Sequence, residues 1–175
     1  MTNIGIVGAT GMVGQTFLEI LEERNFPIDN LYLFASAKSK GSIIKFNNKE
    51  YIVEELNKDS FNKPIDIALF SAGGNISKEY APIAKEKGII VIDNSSAWRM
   101  KDWVPLIVPE VNGDSIDKHQ GIISNPNCST IQSVVPLKPL YDKYGLKRVV
   151  FSTYQAVSGS GVGGIEDLEK GLKSP

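Results

Sequence analysis

The chain has a single cysteine among its 175 residues, Cys128, within the stretch SNPNCSTIQS at 124–133. Asn127 is a residue type that commonly caps helices, so Cys128 is predicted to be the first residue of a helix. There a thiol faces unpaired N–H groups and the positive end of the helix dipole, which favour the nucleophilic thiolate. Free cysteine is also among the most buried residue types, so this segment alone leaves open a nucleophile or a core thiol.

A second candidate for chemistry is GATGMVG at 8–14, with glycines spaced G-x-x-G-x-x-G. It follows an apolar stretch and opens an amphipathic one, so it is predicted to join a strand to a helix. In that context Gly8, Gly11 and Gly14 allow a tight turn and let a pyrophosphate approach the helix N-terminus. The alternative is a glycine-rich turn without a ligand.

The end of the next predicted strand indicates which dinucleotide would bind. NAD sites usually place Asp or Glu there, where it binds the ribose 2′-hydroxyl. Here the strand ends in Ser36, and Lys38, Ser39 and Lys40 offer charge and a hydroxyl to a 2′-phosphate. These residues predict NADP, and the alternative is a solvated basic loop. Short-chain dehydrogenases with this glycine spacing need Tyr-x-x-x-Lys, which none of the six tyrosines provides.

Two more polar residues follow predicted strands. Arg99, in DNSSAWRM at 93–100, has a planar fork that suits a phosphate or carboxylate; the alternative is a surface ion pair. Gln155 stands at a strand end before a Ser/Gly-rich loop. It is suited to orienting a substrate carbonyl, or is a polar residue that ends the strand.

The elements that must position these residues alternate between strand and helix. A helix from Gly11 to Glu23 is predicted to bury Val13, Phe17, Ile20 and Leu21, and another at 78–88 to end at Gly88. The other predicted elements are a β-hairpin at 42–56 around Asn47-Asn48, strands at 3–9, 31–36, 65–72, 89–95, 106–111, 121–125 and 147–157, and helices after Cys128 and in GIEDLEKGLKSP.

This order predicts an α/β fold with a doubly wound, mostly parallel Rossmann-type sheet. We expect a dinucleotide-binding domain at 1–127. We expect an incomplete second α+β domain at 128–175, the beginning of a catalytic and dimerisation domain, because the last helix has no packing partner in view. Ligands of such sheets bind beyond the carboxyl ends of the strands.

The composition restricts the partners. Net charge is −1, which provides no field to attract nucleic acid or an anionic membrane. No apolar run approaches the ~20 residues of a membrane span. One cysteine rules out an internal disulfide framework and fits a reducing, cytoplasmic location.

Taken together, six stretches resemble aspartate-semialdehyde dehydrogenase: GATGMVG, SAGG (71–74), DNSSAWRM, VPEVN (108–112), SNPNCST and YQAVSGSG. The resemblance implies NADP-dependent reductive dephosphorylation of aspartyl phosphate to aspartate semialdehyde and the reverse reaction, in lysine, threonine and methionine biosynthesis. Cys128 would be the nucleophile and form an acyl-thioester.

The resemblance also implies roles for other residues. Gln155 would orient the substrate, Arg99 and Asn127 would hold the phosphate, and Asn94 and Ser95 would line the crevice. The residues implied to contact the cofactor are Gly8, Thr10, Gly11, Met12, Val13, Lys38, Ser39, Ser71, Gly73, Ser158 and Gly159. Family members usually have Arg at position 38, so Lys38 keeps the charge but loses bidentate geometry.

The family's catalytic histidine has no counterpart in this chain, whose one histidine, His119, is predicted to be a solvated surface residue. The chain therefore resembles the first half of the enzyme, which as a whole is expected to be a homodimer, and little turnover is expected from this half. Two other interpretations stay open: an N-acetyl-glutamyl-phosphate reductase, which resembles N-P-G-C where this chain has Asn127, and a non-catalytic NADP-binding module.

Overall fold

The computed structural model describes residues 2–173. The chain forms two compact units, of which unit 1 ends at Asn127 and unit 2 begins at Cys128. Among residues 2–173, no helix combines the length and apolar character needed to cross a membrane.

Unit 1 contains eight strands within its described residues. They are β1 (Thr2–Val7), β2 (Ile28–Ala35), β3 (Ile43–Phe46), β4 (Lys49–Ile52), β5 (Glu54–Glu55), β6 (Ile67–Phe70), β7 (Ile90–Asp93) and β8 (Ile122–Ser124). Six of them form one sheet in the order β5-β2-β1-β6-β7-β8, and its neighbouring pairs are parallel. From β1 the chain adds strands towards β2 and β5, and from β6 it adds them in the opposite direction, towards β7 and β8. The boundary between β1 and β6 is therefore the switch point, where ligands of such sheets bind.

Helices in unit 1 are α1 (Met12–Glu23), α2 (Gly74–Glu86) and the short α3 (Pro109–Asn112). Leu18 of α1 packs with Leu33 on one side of the sheet, and Ala81 of α2 packs with Phe70 and Val91 on the other. Apolar side chains therefore cover both faces, which is the arrangement that parallel sheets require. This confirms the predicted α/β class.

The predicted hairpin is formed by β3 and β4, which pair antiparallel. Asn47 and Asn48 connect them with φ of 48° and 60°. Both angles lie in the left-handed region that two-residue hairpin turns need and that asparagine tolerates. The local sequence therefore determines this turn.

The strand predicted at 106–111 is wrong. Leu106 forms only an isolated bridge, and α3 follows with a proline at its first position. The side chain of Asn112 accepts from the Val108 amide and donates to the Leu106 carbonyl. It thereby satisfies backbone groups that a longer strand would have paired.

The predicted buried face of α1 is only partly correct. Val13 and Ile20 are 39% and 41% exposed. The residues of α1 that pack towards the sheet are Gly14, Phe17, Leu18 and Leu21. The side of the helix at Gly14, which has no side chain, lies against Gly8 and Ala9 of the loop that follows β1.

Helix α2 starts at Gly74, four residues before its predicted start. Gly88 follows its end with a φ of 80°, as predicted for a glycine that stops a helix. The earlier start adds one turn to the helix at the edge where ligands are expected.

Unit 2 contains α4 (Cys128–Tyr144) and α5 (Gly161–Lys173). Cys128 is the first residue of α4, as predicted. The strand predicted at 147–157 is wrong, since residues 145–156 form neither strand nor helix. No strand elsewhere in the described part of unit 2 could pair with it, and a strand gains its stability from pairing. Helix α5 begins before the predicted segment, whose last two residues lie outside the described ones.

Replacing Gly14 with alanine is expected to destabilise unit 1. The new Cβ would lie 2.9 Å from the Ala9 Cα and closer still to the Gly8 carbonyl oxygen. We expect Gly14→Ala to lower the free energy of unfolding by about 2–3 kcal/mol, because backbone atoms must move. Urea unfolding followed by tryptophan fluorescence measures this, since both tryptophans, Trp98 and Trp103, lie in unit 1.

Gly113→Ala is the matched control. Gly113 has right-handed helical angles and no atom within 4 Å of an added Cβ. We expect a change within about 0.5 kcal/mol. Equal effects of the two substitutions would contradict the close approach of α1 to the loop before it.

Candidate functional site

The loop from β1 to α1 is held in place by backbone contacts. Gly8 has a φ of 91°, and an added Cβ would lie 2.8 Å from the Ser71 carbonyl carbon. The amides of Gly8 and Ala9 both donate to the Phe34 carbonyl, at 2.9 and 3.1 Å. The loop therefore lies against the ends of β2 and β6, and only glycine fits at position 8.

Gly11 differs from the two other glycines of this loop. It has extended angles, φ −77° and ψ 163°, and an added Cβ would meet only the Gly8 carbonyl oxygen, at 3.3 Å. That oxygen would have to move by a few tenths of an ångström, a much smaller demand than at Gly8 or Gly14, so packing alone does not account for glycine here. Gly11 instead lines a cavity, where the absence of a side chain lets a ligand approach the N-terminus of α1.

This cavity has a volume of about 330 Å³ and lies at the carboxyl ends of β1, β2, β5 and β6. Four of the predicted cofactor residues line it: Gly8, Thr10, Gly11 and Ser71. Met12 and Val13 lie exposed in the first turn of α1, and Gly73 lines a neighbouring cleft of about 630 Å³ at the start of α2. The structure thus gathers the predicted residues of unit 1 at one edge of the sheet.

Sequence reasoning missed part of this cavity. Glu55 and Leu56 reach it from the end of β5, and Ile76 and Tyr80 reach it from α2. Ile76 and Tyr80 are four residues apart and therefore lie on the same face of α2. The predicted helix began at residue 78 and left out Ile76, so this spacing was not recognised. Burial raises the pKa of Tyr80, and the carboxylates of Glu79 and Glu55 raise it further.

The loop after β2 carries the predicted 2′-phosphate residues. Thr10 Oγ1 donates to Ser39 Oγ at 3.3 Å, which joins this loop to the glycine loop. Lys40 pairs with Glu55 at 3.2 Å. Lys38 is exposed and has no carboxylate within ion-pairing distance among residues 2–173.

Arg99 is held by backbone carbonyls instead of the surface ion pair that was its alternative role. Its Nε donates to the Asn125 carbonyl at 2.9 Å, and its Nη2 donates to the Asn94 carbonyl at 3.0 Å. The side chains of Asn94 and Asn125 are joined at 2.6 Å. Arg99 therefore ties together the ends of β7 and β8 and keeps further N–H groups for another acceptor.

Asp93, at the end of β7, is fully buried. Its Oδ2 accepts from Ser95 Oγ at 2.6 Å, and Ser95 Oγ accepts from the Ala97 amide at 3.1 Å. Its Oδ1 is buried and has no hydrogen-bond partner among residues 2–173, and the same is true of the hydroxyl of Ser124, its register neighbour on β8. Ser95 thus holds the carboxylate and the start of the loop that carries Arg99.

In unit 2 the thiol of Cys128 is exposed. The structure therefore excludes a core thiol within this unit. Gln155 lies close to Gly159, where an added Cβ would be 2.5 Å from the Gln155 Nε2. Two residues predicted for substrate and cofactor contact are therefore neighbours, and Ser158 lies between them in a short 3₁₀ turn, Val157–Ser160.

His119 is half-buried, and its Nδ1 accepts from the Gly121 amide at 3.0 Å. It therefore supports the turn before β8. Within residues 2–173, no group of three or more His, Cys, Asp or Glu residues could hold a metal ion.

A parallel sheet with a glycine-lined crevice at its switch point defines a dinucleotide-binding domain of the Rossmann type. Residues 3–119 match the family model for the semialdehyde dehydrogenase NAD-binding domain, and residues 137–173 match the semialdehyde dehydrogenase dimerisation domain. The chain belongs to the semialdehyde dehydrogenase family, as its motifs predict.

Individual relatives agree with this family assignment. The chain is 62% identical over 173 residues to aspartate-semialdehyde dehydrogenase of Aquifex aeolicus, covering 98% of this chain and 51% of the relative. The crystal structure of aspartate semialdehyde dehydrogenase II complexed with ASA from Vibrio cholerae matches with a TM-score of 0.91 and 47% identity, covering 97% of this chain and 51% of that one. The chain spans about half the length of the curated relatives it matches.

A more distant match is a solved structure with NADP. Aspartate semialdehyde dehydrogenase with NADP from Candida albicans matches with a TM-score of 0.70 and 29% identity, covering 83% of this chain and 48% of that one. The family model and this relative both concern nicotinamide dinucleotides.

Replacing Ser95 with alanine is expected to destabilise unit 1. The substitution removes the donor to Asp93 Oδ2 and leaves a buried carboxylate without a hydrogen bond. We expect a loss of about 2–3 kcal/mol in the free energy of unfolding, measured by urea and tryptophan fluorescence. Ser96→Ala, at an exposed neighbour, is the control and should change it by less than about 0.5 kcal/mol. A loss no larger for Ser95→Ala than for Ser96→Ala would show that Ser95 does not support the carboxylate.

Proposed function

We propose that this chain is the nucleotide-binding and cysteine-bearing part of an NADP-dependent aspartate-semialdehyde dehydrogenase. The observation that carries the proposal is 62% identity, over 98% of the chain, to a relative of that name. The reaction is the reductive dephosphorylation of aspartyl phosphate to aspartate semialdehyde. An exposed cysteine at the start of a helix and a glycine-lined crevice are the two features that this chemistry needs.

The cavity in unit 1 is the proposed site of the dinucleotide. Glycines at positions 8 and 11 leave its wall open, and Thr10 and Ser71 provide hydroxyl groups there. Met12 and Val13 lie at the first turn of α1, where amides face a pyrophosphate. When bound, NADPH supplies the hydride for the reduction.

The choice of NADP is supported by the residues after β2. No carboxylate follows β2 directly, since Ser36 holds that position. Lys38 and Ser39 provide a cation and a hydroxyl for the 2′-phosphate, and Lys38 has no competing carboxylate among the described residues. Gly73, Ser158 and Gly159 complete the proposed cofactor contacts.

Cys128 is the proposed nucleophile. Its thiolate attacks the carbonyl carbon of the acyl phosphate, a C–S bond forms, and the C–O bond breaks as phosphate leaves with its electron pair. The product is an acyl-thioester on Cys128. Gln155 orients the carbonyl, and Arg99 and Asn127 bind the phosphate. Arg99 suits this role because folding already fixes its guanidinium by two carbonyls.

We also propose that the whole protein is a cytoplasmic homodimer. The match of residues 137–173 to a dimerisation domain supports the dimer. Large apolar side chains of unit 2 are exposed, among them Tyr144, Val150 and Phe151. A second subunit could cover such a surface.

The first test is NADP binding by isothermal titration calorimetry. We expect this chain to bind NADP and Gly11→Ala to raise the Kd at least tenfold, because a methyl group enters the cavity. Urea unfolding of Gly11→Ala checks that the domain stays folded, since the new Cβ lies 3.3 Å from the Gly8 carbonyl oxygen. Gly113→Ala, away from the cavity, should leave the Kd unchanged. Equal Kd values for all three proteins would argue against binding at the N-terminus of α1.

The second test is alkylation of Cys128 by iodoacetamide at pH 7, followed by intact mass. The chain has no other thiol, so each added mass reports this residue. We expect the folded chain to react several-fold faster than the chain in urea, because only the folded chain places the sulfur at the first turn of α4, beside the free backbone N–H groups of that helix. NADP should change the folded rate, whereas NADP should not change the rate in urea. A folded rate no faster than the unfolded one would contradict the proposed nucleophile.

A further inference from the structure

The cavity wall contains a carboxylate from a position where the sequence did not suggest one. Strand β5 extends the sheet beyond β2, and Ala35 and Glu55 are register partners at the ends of the two strands. Glu55 lines the cavity together with Ser36 and Ala37. In NAD-binding domains the carboxylate that binds the ribose 2′-hydroxyl follows the second strand itself. Here it enters from the neighbouring strand.

Lys40 holds this carboxylate. Its Nζ lies 3.2 Å from Glu55 Oε2, and the two side chains are 64% and 41% exposed. A pair this exposed adds little to stability. The backbone keeps the partners together, because the Gly41 amide donates to the Val53 carbonyl at 2.9 Å and the Leu56 amide donates to the Ala35 carbonyl at 2.8 Å.

The loop therefore contains two lysines in different situations. Lys38 is available to an anion, whereas Lys40 already has a carboxylate partner. Without Lys40, the negative charge of Glu55 would stand uncompensated at the place where Ser36 to Ser39 would receive a 2′-phosphate. The negative charge of Glu55 would repel a 2′-phosphate there. The same carboxylate would accept a hydrogen bond from a ribose 2′-hydroxyl.

We propose that the Lys40–Glu55 pair determines the preference of this site for NADP over NAD, an inference that rests on the proposed function. Lys40 neutralises Glu55 and directs its carboxylate away from the 2′-phosphate. Loss of Lys40 frees the carboxylate to accept a hydrogen bond from the 2′-hydroxyl of NAD. Loss of the Glu55 charge removes the repulsion and leaves both lysines for the phosphate.

The test is calorimetric titration of this chain and its variants with NADP and with NAD, expressed as the ratio of the two Kd values. We expect Lys40→Met to shift the ratio towards NAD by at least tenfold, mainly by weakening NADP. Glu55→Gln should shift it towards NADP by several-fold. Lys40→Arg should leave the ratio as it is in the unmodified chain, because arginine keeps the positive charge at position 40. Thermal unfolding followed by tryptophan fluorescence confirms that each variant is folded.

Lys45→Met is the matched control. Lys45 pairs with Glu50 at 3.8 Å on the hairpin, is also exposed, and does not line the cavity. It removes the same charge, so an unchanged ratio is expected. An equal effect of Lys40→Met on both Kd values, or an equal shift by Lys45→Met, would overturn the inference while NADP binding by the unmodified chain stands. If the unmodified chain does not prefer NADP, the proposed cofactor fails and this inference fails with it.

Discussion

Helix α1 lies directly against the loop that precedes it because neither Gly8 nor Gly14 has a side chain. This close approach brings the first turn of the helix to the reversal between β1 and β6. It also presses the loop against Ser71 at the end of β6 and lets Gly8 and Ala9 share the Phe34 carbonyl at the end of β2. The rest of the crevice depends on it, since the ends of β1, β2 and β6 meet around this one loop.

The walls of the crevice are built from residues with double roles. Glu55 ends a two-residue strand and lines the cavity, and Tyr80 covers the sheet while it lines the same cavity. Burial and the carboxylates around it raise the pKa of Tyr80, so its hydroxyl keeps its proton to a higher pH than the hydroxyl of an ordinary tyrosine. Such residues make the shape of this cavity inseparable from the packing of the domain.

Much of the fold could be predicted from the sequence because the signals were local. Asn47-Asn48 forces a tight hairpin, Gly88 stops a helix, and apolar runs bounded by turn residues form the buried strands. The glycine loop and its ligand edge follow from the same kind of signal. The family follows from motifs read in order.

The errors arose where distant contacts decide the structure. Residues 106–111 look like a strand, but the Asn112 side chain takes their backbone groups. The segment at 147–157 has the composition of a strand and no partner in the described part of unit 2. The place of Glu55 beside β2 depends on sheet order, which no local pattern contains.

The two carbonyl bonds of Arg99 have a consequence for the kinetics of recognition. A free arginine side chain samples many rotamers, and each encounter with an anion must wait for one of them. The bonds to Asn94 and Asn125 remove that search during folding. In the proposed role of Arg99, a phosphate therefore meets a guanidinium that is already oriented, and its capture depends on the diffusion of the phosphate and its loss of water.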